Sequence, residues 1–432
     1  MEHKTHYAGD RMKPSALSIL MPVGAVVALV AIGLDTTAST AATAPSFTTD
    51  SIASPSGPGA TTPNLTVAAD GKVYMSWLEP ADSGHALRLS VLDGRSWSAP
   101  RTIRTGRDFF VNWADFSSIQ ILDGGRLAAH WLQRNGKGTY AYGVKISQSS
   151  DGGRTWSTPV TPHRDSSPNE HGFVAMWRER GRLGAVWLDG RKFPPASHGA
   201  ADGGHGGARE MMLVSTTLEP SGRLGAEVIL DSRTCDCCQN SAAMTSKGPI
   251  VTYRNRSPDE IRDIYVTRRV NGKWTEGVPV HSDEWKIAAC PVNGPSVAAA
   301  GDRVALAWFT AANDSARVKL AFSEDAGATF SAPVRVDGGN PAGRVDVALL
   351  ADGSALVTWV ERVGGDTAAV RARRVWSGGR VGTATTIASS TAARSSGFPH
   401  MAVREHDVVF AWTVPGRPSA IKVALLATSA FK

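Results

Sequence analysis

Four cysteines among 432 residues can close at most two disulfides, and Cys235, Cys237, Cys238 and Cys290 all lead into the first strands of two adjacent repeat units. Helical periodicity is missing throughout, which excludes helix bundles and alternating α/β units. No Lys/Arg run carries interleaved aromatics, so a dedicated nucleic-acid groove is excluded as well. Past residue 44 no apolar stretch approaches the ~20 residues that span a bilayer. Tyrosine is rare too, with six copies, which leaves few phenols to consider for chemistry.

What is present begins with an apolar run from Leu17 to Leu34. It follows Lys4, Arg11 and Lys13 and precedes the small residues TTASTAATAPS. Basic, apolar and small-residue regions in that order describe a secretory signal peptide over residues 1–44, with cleavage after Ala41 or Ala42. Met12 as the true start would give a more ordinary basic region, and an uncleaved anchor is the alternative to cleavage. The expectation is a secreted or periplasmic protein with one domain over residues 45–432, off the membrane once the leader is removed, and monomeric. The formal net charge of +7 belongs to that domain. It suits anionic partners, or it is a solvated basic surface with no specific partner.

The dominant signal is periodic. Strand-like segments end in Trp77 (GKVYMSW), Trp131 (GRLAAHW), Trp187 (GRLGAVW), Tyr253 (KGPIVTY), Trp308 (DRVALAW), Trp359 (GSALVTW) and Trp412 (HDVVFAW). They recur at intervals of roughly 50–65 residues, and other apolar strands flank each one. Four short strands per unit, apolar on both faces, predict an all-β chain folded as a single β-propeller of four-stranded antiparallel blades. Seven aromatics predict seven blades; six is the alternative if one repeat is degenerate. The last unit stops after its third strand, and residues 47–53 (FTTDSIA) could supply the fourth.

Two turns carry a family resemblance. SSDGGRTW (Ser149 to Trp156) and SEDAGATF (Ser323 to Phe330) fit S-x-D-x-G-x-T-[W/F], and LDGRSW, VNGKW and WSGGR are eroded copies. This Asp-box, or BNR repeat, resembles that of the sialidase superfamily, over nearly the whole domain. The resemblance implies a glycan-active enzyme, exo-sialidase-like, working on anionic sugar. The family's Arg-Ile-Pro signature is absent, and the first unit opens TPNL instead. A non-catalytic propeller that holds a protein or glycan on its loop face is the competing class. No organic cofactor is expected.

Residue by residue, the chemistry belongs on the face opposite the Asp-boxes. Asp189 and Glu361 lie two positions past a repeated aromatic, at the channel mouth. With Asp115 from a neighbouring loop they are the candidate acid/base carboxylates, simple capping being the plainer reading. Tyr140 is the one tyrosine expected to approach that face; Tyr74, Tyr142 and Tyr265 fall within strands, and Tyr253 replaces a packing Trp. Arg191, Arg254, Arg256, Arg344 and Arg394 sit on loops suited to holding an anionic substituent. His163, His171, His198 and His205 share the face without a ligand-like spacing. Outside the cytoplasm the four cysteines form two disulfides by default, with Cys290 bridging to the CDCC segment. Copper or zinc bound by the same thiolates is the alternative.

Overall fold

Branched and small residues alternate along this chain and settle it into twisted sheets. The structure, a computed structural model, describes residues 50–193 and 210–432. The expected leader and His198 and His205 lie outside those residues. Among the described residues every regular element is a β-strand except four single turns of 3-10 helix.

Seven antiparallel sheets follow one another along the chain. Blade 3 shows the plan: His171–Glu179, Arg182–Asp189, Met211–Leu218 and Val228–Thr234, each paired with the next. Blade 2 is the leanest, with Ser118–Ile121, Leu127–Arg134 and Tyr142–Ser149; its expected fourth strand shrinks to a bridge between Ile146 and Val160. The first strand of every blade touches the first strands of both neighbours, and the series closes on itself. The protein is therefore a seven-bladed propeller, and the six-bladed alternative is set aside.

The repeated aromatics explain why the blades stack. Hydrophobic clusters span each junction: Trp187 packs with Leu132 and Val144 of the preceding blade, Trp359 with Ala307 and Leu320, and Trp77 with Val409 and Val423. Tyr253 does the same between blades 3 and 4, where it meets Val186 and Leu213. Each side chain fills an interface that an alanine would leave hollow, at a cost of ~3–5 kcal/mol.

The ring closes by joining distant segments. Asp50–Ile52 pairs antiparallel with Ala420–Ala427, Ile52 opposite Val423, and so completes blade 7. An open edge would otherwise present unpaired backbone to solvent. Deleting residues 50–53 should lower stability by roughly 1–3 kcal/mol from lost pairs and bonds. A thermal midpoint equal to that of the intact protein would refute this account of closure.

At the far end of the sheets, the two S-x-D-x-G-x-T turns are wired alike. Ser323 Oγ donates to Asp325 Oδ1 at 2.7 Å and accepts from Gly327 N at 2.9 Å. Thr329 donates its backbone N–H to Asp325 Oδ1 and its hydroxyl to Oδ2. Ser149, Asp151, Gly153 and Thr155 repeat the pattern. Gly327 (φ +78°) and Gly153 (φ +86°) hold positions where a side chain would be strained. Burial pushes the Asp325 carboxyl up, but the Thr329 and Ser323 donors outweigh it and bring it to about 2. Its stabilising contribution is thus complete above the unfolded value of 3.8 and lost as pH falls through about 2. Asp325→Asn should cost ~1 kcal/mol, since the site is largely solvated, and leave any ligand chemistry on the other face untouched. Calorimetry at neutral pH beside a binding or activity assay checks both halves.

Candidate active site

Loops that enter the first strands and loops that leave the second strands share one end of the propeller. Side chains two apart on a strand point the same way, and that rule places the first carboxylates. Trp187 Nε1 donates to Asp189 Oδ2 at 2.9 Å, and Trp77 Nε1 to Glu79 Oε2 at 2.7 Å. Trp359 Nε1 donates to Glu361 Oε2. In blade 5, where Thr310 takes the corresponding position, Asp283 from the preceding loop accepts the Trp308 indole at 2.7 Å. The carboxylate after the repeated aromatic is therefore an indole cap that lets a tryptophan be buried without an orphaned N–H.

Asp189 is also ion-paired. Arg191 meets its two oxygens at 2.7 and 2.5 Å and gives two more donors to Glu227 at 2.9 and 3.0 Å. His171 Nε2 lies 3.4 Å from Asp189 Oδ1 and 3.2 Å from Asp165 Oδ2. Burial raises the Asp189 carboxyl, but Arg191 and His171 overcome that and hold it far below the usual carboxylate range. It is an ionised anchor, poorly suited to give up a proton. The His163 ring stacks on His171 at 4.0 Å, and burial with the neighbouring imidazole lowers it to about 4. Glu361 accepts from Asn340 N at 2.7 Å as well as from its indole.

The third predicted carboxylate sits in a different environment. Asp115, 2% exposed, accepts from Phe173 N at 2.7 Å through Oδ1. Its other oxygen lies 2.8 Å from the phenol of Tyr142, itself 1% exposed. The same phenol lies 2.8 Å from Glu170 Oε1. One hydroxyl has one proton, so it donates to only one of two carboxyl groups. The other must be protonated and donate to the phenol oxygen. Burial raises Asp115 to about 7 against the opposing pull of Tyr142 and Phe173 N–H, which favours a proton on that carboxyl. Burial and the two carboxylates together push the Tyr142 phenol well above its ordinary value. With Asp115 protonated, the array runs Asp115 O–H to Tyr142 and Tyr142 O–H to the half-buried Glu170 carboxylate, one negative charge in all.

Tyr142, expected to be an ordinary strand residue, is thus the phenol at the carboxylates. Tyr140 is 38% exposed and sits beside Phe110, with ring centroids 6.3 Å apart. Tyr142 is the first residue of its strand, level with Arg134 where the neighbouring strand ends, and that placement at the loop face is the signal that sequence reading passed over. Glu170 belongs to the loop before blade 3, which was legible as irregular but not as chemical.

The arginines also differ from expectation. Arg254 is buried and donates to the carbonyls of Asn293, Arg262 and Phe309 at 2.5–3.0 Å, with Trp285 against its face. Four of its five N–H donors thus go to the fold's own carbonyls. Arg344 donates to Gly397 O and Ala392 O across blades 6 and 7 and lies 4.9 Å over Trp113; burial lowers it to about 10. Arg256 pairs with Glu260 at 2.7 Å. Arg394 is exposed in a single helical turn.

The cysteines depart from the two-disulfide expectation. Cys237 and Cys290 are bridged across the junction of blades 4 and 5, as foreseen. Cys235 and Cys238 remain thiols, buried, with sulfurs 3.4 Å apart. The Arg262 guanidinium donates to Cys235 Sγ at 3.2 Å, which favours a thiolate there over a bonded sulfur. Burial raises Cys235, yet the Cys238 thiol and the nearby guanidinium groups bring it to about 7. Gln239 ties this segment to the Asp115 loop by donating to Ala114 O at 2.7 Å. No helix among the described residues is long and apolar enough to cross a membrane.

No family model matches the chain, and no curated protein does. Solved structures similar to it include a Dyadobacter fermentans protein of unknown function, 15% identical, covering 88% of this chain and 98% of that one with a TM-score of 0.49. Polysaccharide lyase Uly1 is 9% identical, covering 85% and 90%, with a TM-score of 0.49. The NanB sialidase of Streptococcus pneumoniae is 12% identical, covering 87% and 70%, with a TM-score of 0.43. Sialidases and polysaccharide lyases thus stand among the structures this chain is similar to, and its own seven closed sheets make it a β-propeller.

Proposed function

We propose that this chain is an exported, glycan-active enzyme, sialidase-like in its Asp-box repeats, in which the Asp115–Tyr142–Glu170 array does the acid–base work. The observation that carries the reading is a single phenol oxygen 2.8 Å from two carboxyl groups. Moving both protons one step along that chain turns Asp115 into a carboxylate and Glu170 into an acid, while the phenol stays neutral. Glu170, half-buried, is the member that meets a glycosidic oxygen. Asp115 holds the reserve proton near neutral pH, the range in which general acids work best.

An anionic sugar substituent fits best where a carboxylate already sits on arginine. Glu227 on Arg191 and Glu260 on Arg256 occupy places that an incoming carboxylate or sulfate could take over. A screen of the mature protein against fluorogenic sialosides, uronides and neutral glycosides tests the class. Release of the fluorophore by wild type, abolished in Glu170→Gln, is the supporting result.

The competing reading is a non-catalytic propeller that holds a protein or glycan on the same face. It is favoured by the burial of Asp115 and Tyr142 and by the fold's own use of Arg254 and Arg344. Binding of a glycan without turnover, unchanged in Asp115→Asn, would establish it.

A further inference from the structure

Cys235, Cys237 and Cys238 form the densest set of soft donors among the described residues, their sulfurs all within 4.8 Å of one another. Cys235 Sγ lies 3.4 Å from Cys238 Sγ and 3.8 Å from Cys237 Sγ. Cys290 is bonded to Cys237, with Cα atoms 6.0 Å apart. Four sulfurs therefore share one place on the loop face, carried by the segments that lead into blades 4 and 5.

These separations have a geometric meaning. Zinc–thiolate bonds of ~2.3 Å in a tetrahedron put neighbouring sulfurs ~3.8 Å apart. The distances from Cys235 come close to that edge. Opening the Cys237–Cys290 bond and relaxing its two sulfurs to the same separation completes four corners. The surroundings also suit a thiolate cluster. Arg262, with no solvent exposure, donates to Cys235 Sγ at 3.2 Å while also pairing with Glu260 at 2.9 Å and lying 3.4 Å from Asp236, so it shares its positive charge between the gathered sulfurs and two carboxylates. Such a donor outside the ligands orients and tunes them. Cys235, Cys237 and Cys238 are buried, which shields bound sulfurs from oxidants.

We propose that the reduced four-cysteine cluster binds one thiophilic d10 metal ion, zinc(II) or copper(I), and that the Cys237–Cys290 disulfide is its metal-free, oxidised form. Binding displaces the thiol protons, one for each sulfur that coordinates. The disulfide form lies two electrons and two protons away. A small dithiol returns it to the metal-competent state, its own two sulfurs leaving as a disulfide. The site shares no residue with the Asp115 array, though Gln239 joins the two segments, and its test does not depend on any enzymatic activity.

The test uses the full chain, reduced with a dithiol and kept anaerobic, then titrated with cobalt(II), zinc(II) and copper(I). Cobalt should give strong visible bands and sulfur-to-metal charge transfer, the signature of tetrahedral thiolate, at one equivalent. Loss of a ligand in Cys238→Ser should weaken binding by at least the ~10–100-fold typical of losing an outer partner. Arg262→Gln should fall within that ~10–100-fold range, which a merely structural arginine would not. Cys290→Ser separates the two ions: zinc loses a required fourth corner, whereas copper(I) is retained by the remaining three sulfurs. Weak, octahedral cobalt spectra, or equal binding by wild type and Cys238→Ser, would overturn the proposal. Circular dichroism on each variant guards against misfolding, and the wild-type cobalt spectrum decides the matter without any variant.

Discussion

Given the acid–base role proposed for Asp115, its replacement by asparagine should cut turnover by ~10²–10⁴-fold, the usual cost of removing a general acid or base, while the fold survives. Asparagine copies the protonated carboxyl: its oxygen can accept from Phe173 N and its amide can donate to Tyr142. What it lacks is a proton to pass on. Wild-type turnover should fall as pH rises through about 7, where Asp115 loses its proton, and the remnant activity of Asp115→Asn should lack that limb. Tyr142→Phe breaks the same relay from its middle and should lose a similar factor.

Stability provides an independent reading of the same group. The fold raises Asp115 from 3.8 to about 7, so it favours the protonated form. The associated stability is complete below the unfolded value and disappears as pH rises through the folded one, a change of roughly 4 kcal/mol. Urea midpoints of wild type measured from pH 4 to 8 should decline across that window relative to Asp115→Asn. Parallel curves would mean that Asp115 is ionised in the native state, and the proton relay would fall with it.

Arg254→Ala should destabilise the domain by at least ~3 kcal/mol. Three buried carbonyls, of Asn293, Arg262 and Phe309, lose their donor at once, and an unsatisfied buried polar group costs ~1–3 kcal/mol. Arg254→Lys should recover only part of this, because an ammonium lacks the planar fork that reaches all three. A chemical-denaturation midpoint decides it. An unchanged midpoint with weakened binding of an anionic glycan would instead return Arg254 to the ligand.

Those two residues mark the limit of what the sequence could convey. The propeller was legible because seven aromatics repeat the same local environment, and a repeated environment leaves a repeated letter. Even Tyr253 could be recognised as a substitute for tryptophan from its place in the series. The positions two past each aromatic were legible too, as points at the channel mouth. That Glu79, Asp189 and Glu361 among them cap an indole was visible only with the N–H to carboxylate contacts in place. Asp115, Tyr142 and Glu170 come from the loop before blade 2, that blade's third strand and the loop before blade 3, and no one of them departs from an ordinary loop or strand residue. Their convergence depends on the angle between neighbouring blades. Arg254 misled for a related reason. A guanidinium on a loop has the same letter whether it points to solvent or turns inward to bond three backbone carbonyls.

The joining of the first described strand to the last constrains when the ring can close during folding. Thr62 N bonds Thr413 Oγ1 at a sequence separation of 351, beside the pairing of Asp50–Ile52 with Ala420–Ala427. No partial chain emerging from a ribosome or a translocation pore can make those contacts. Blades 1 to 6 can assemble one against the next as they appear, like slats, but the circle stays open until the seventh arrives. Closing so long a loop adds only a logarithmic entropic penalty, though it delays the event in time. A strand displaced at that late step leaves a nearly complete ring with an unpaired edge, so exposure to proteases and to pairing with copies of itself should peak in the interval before closure.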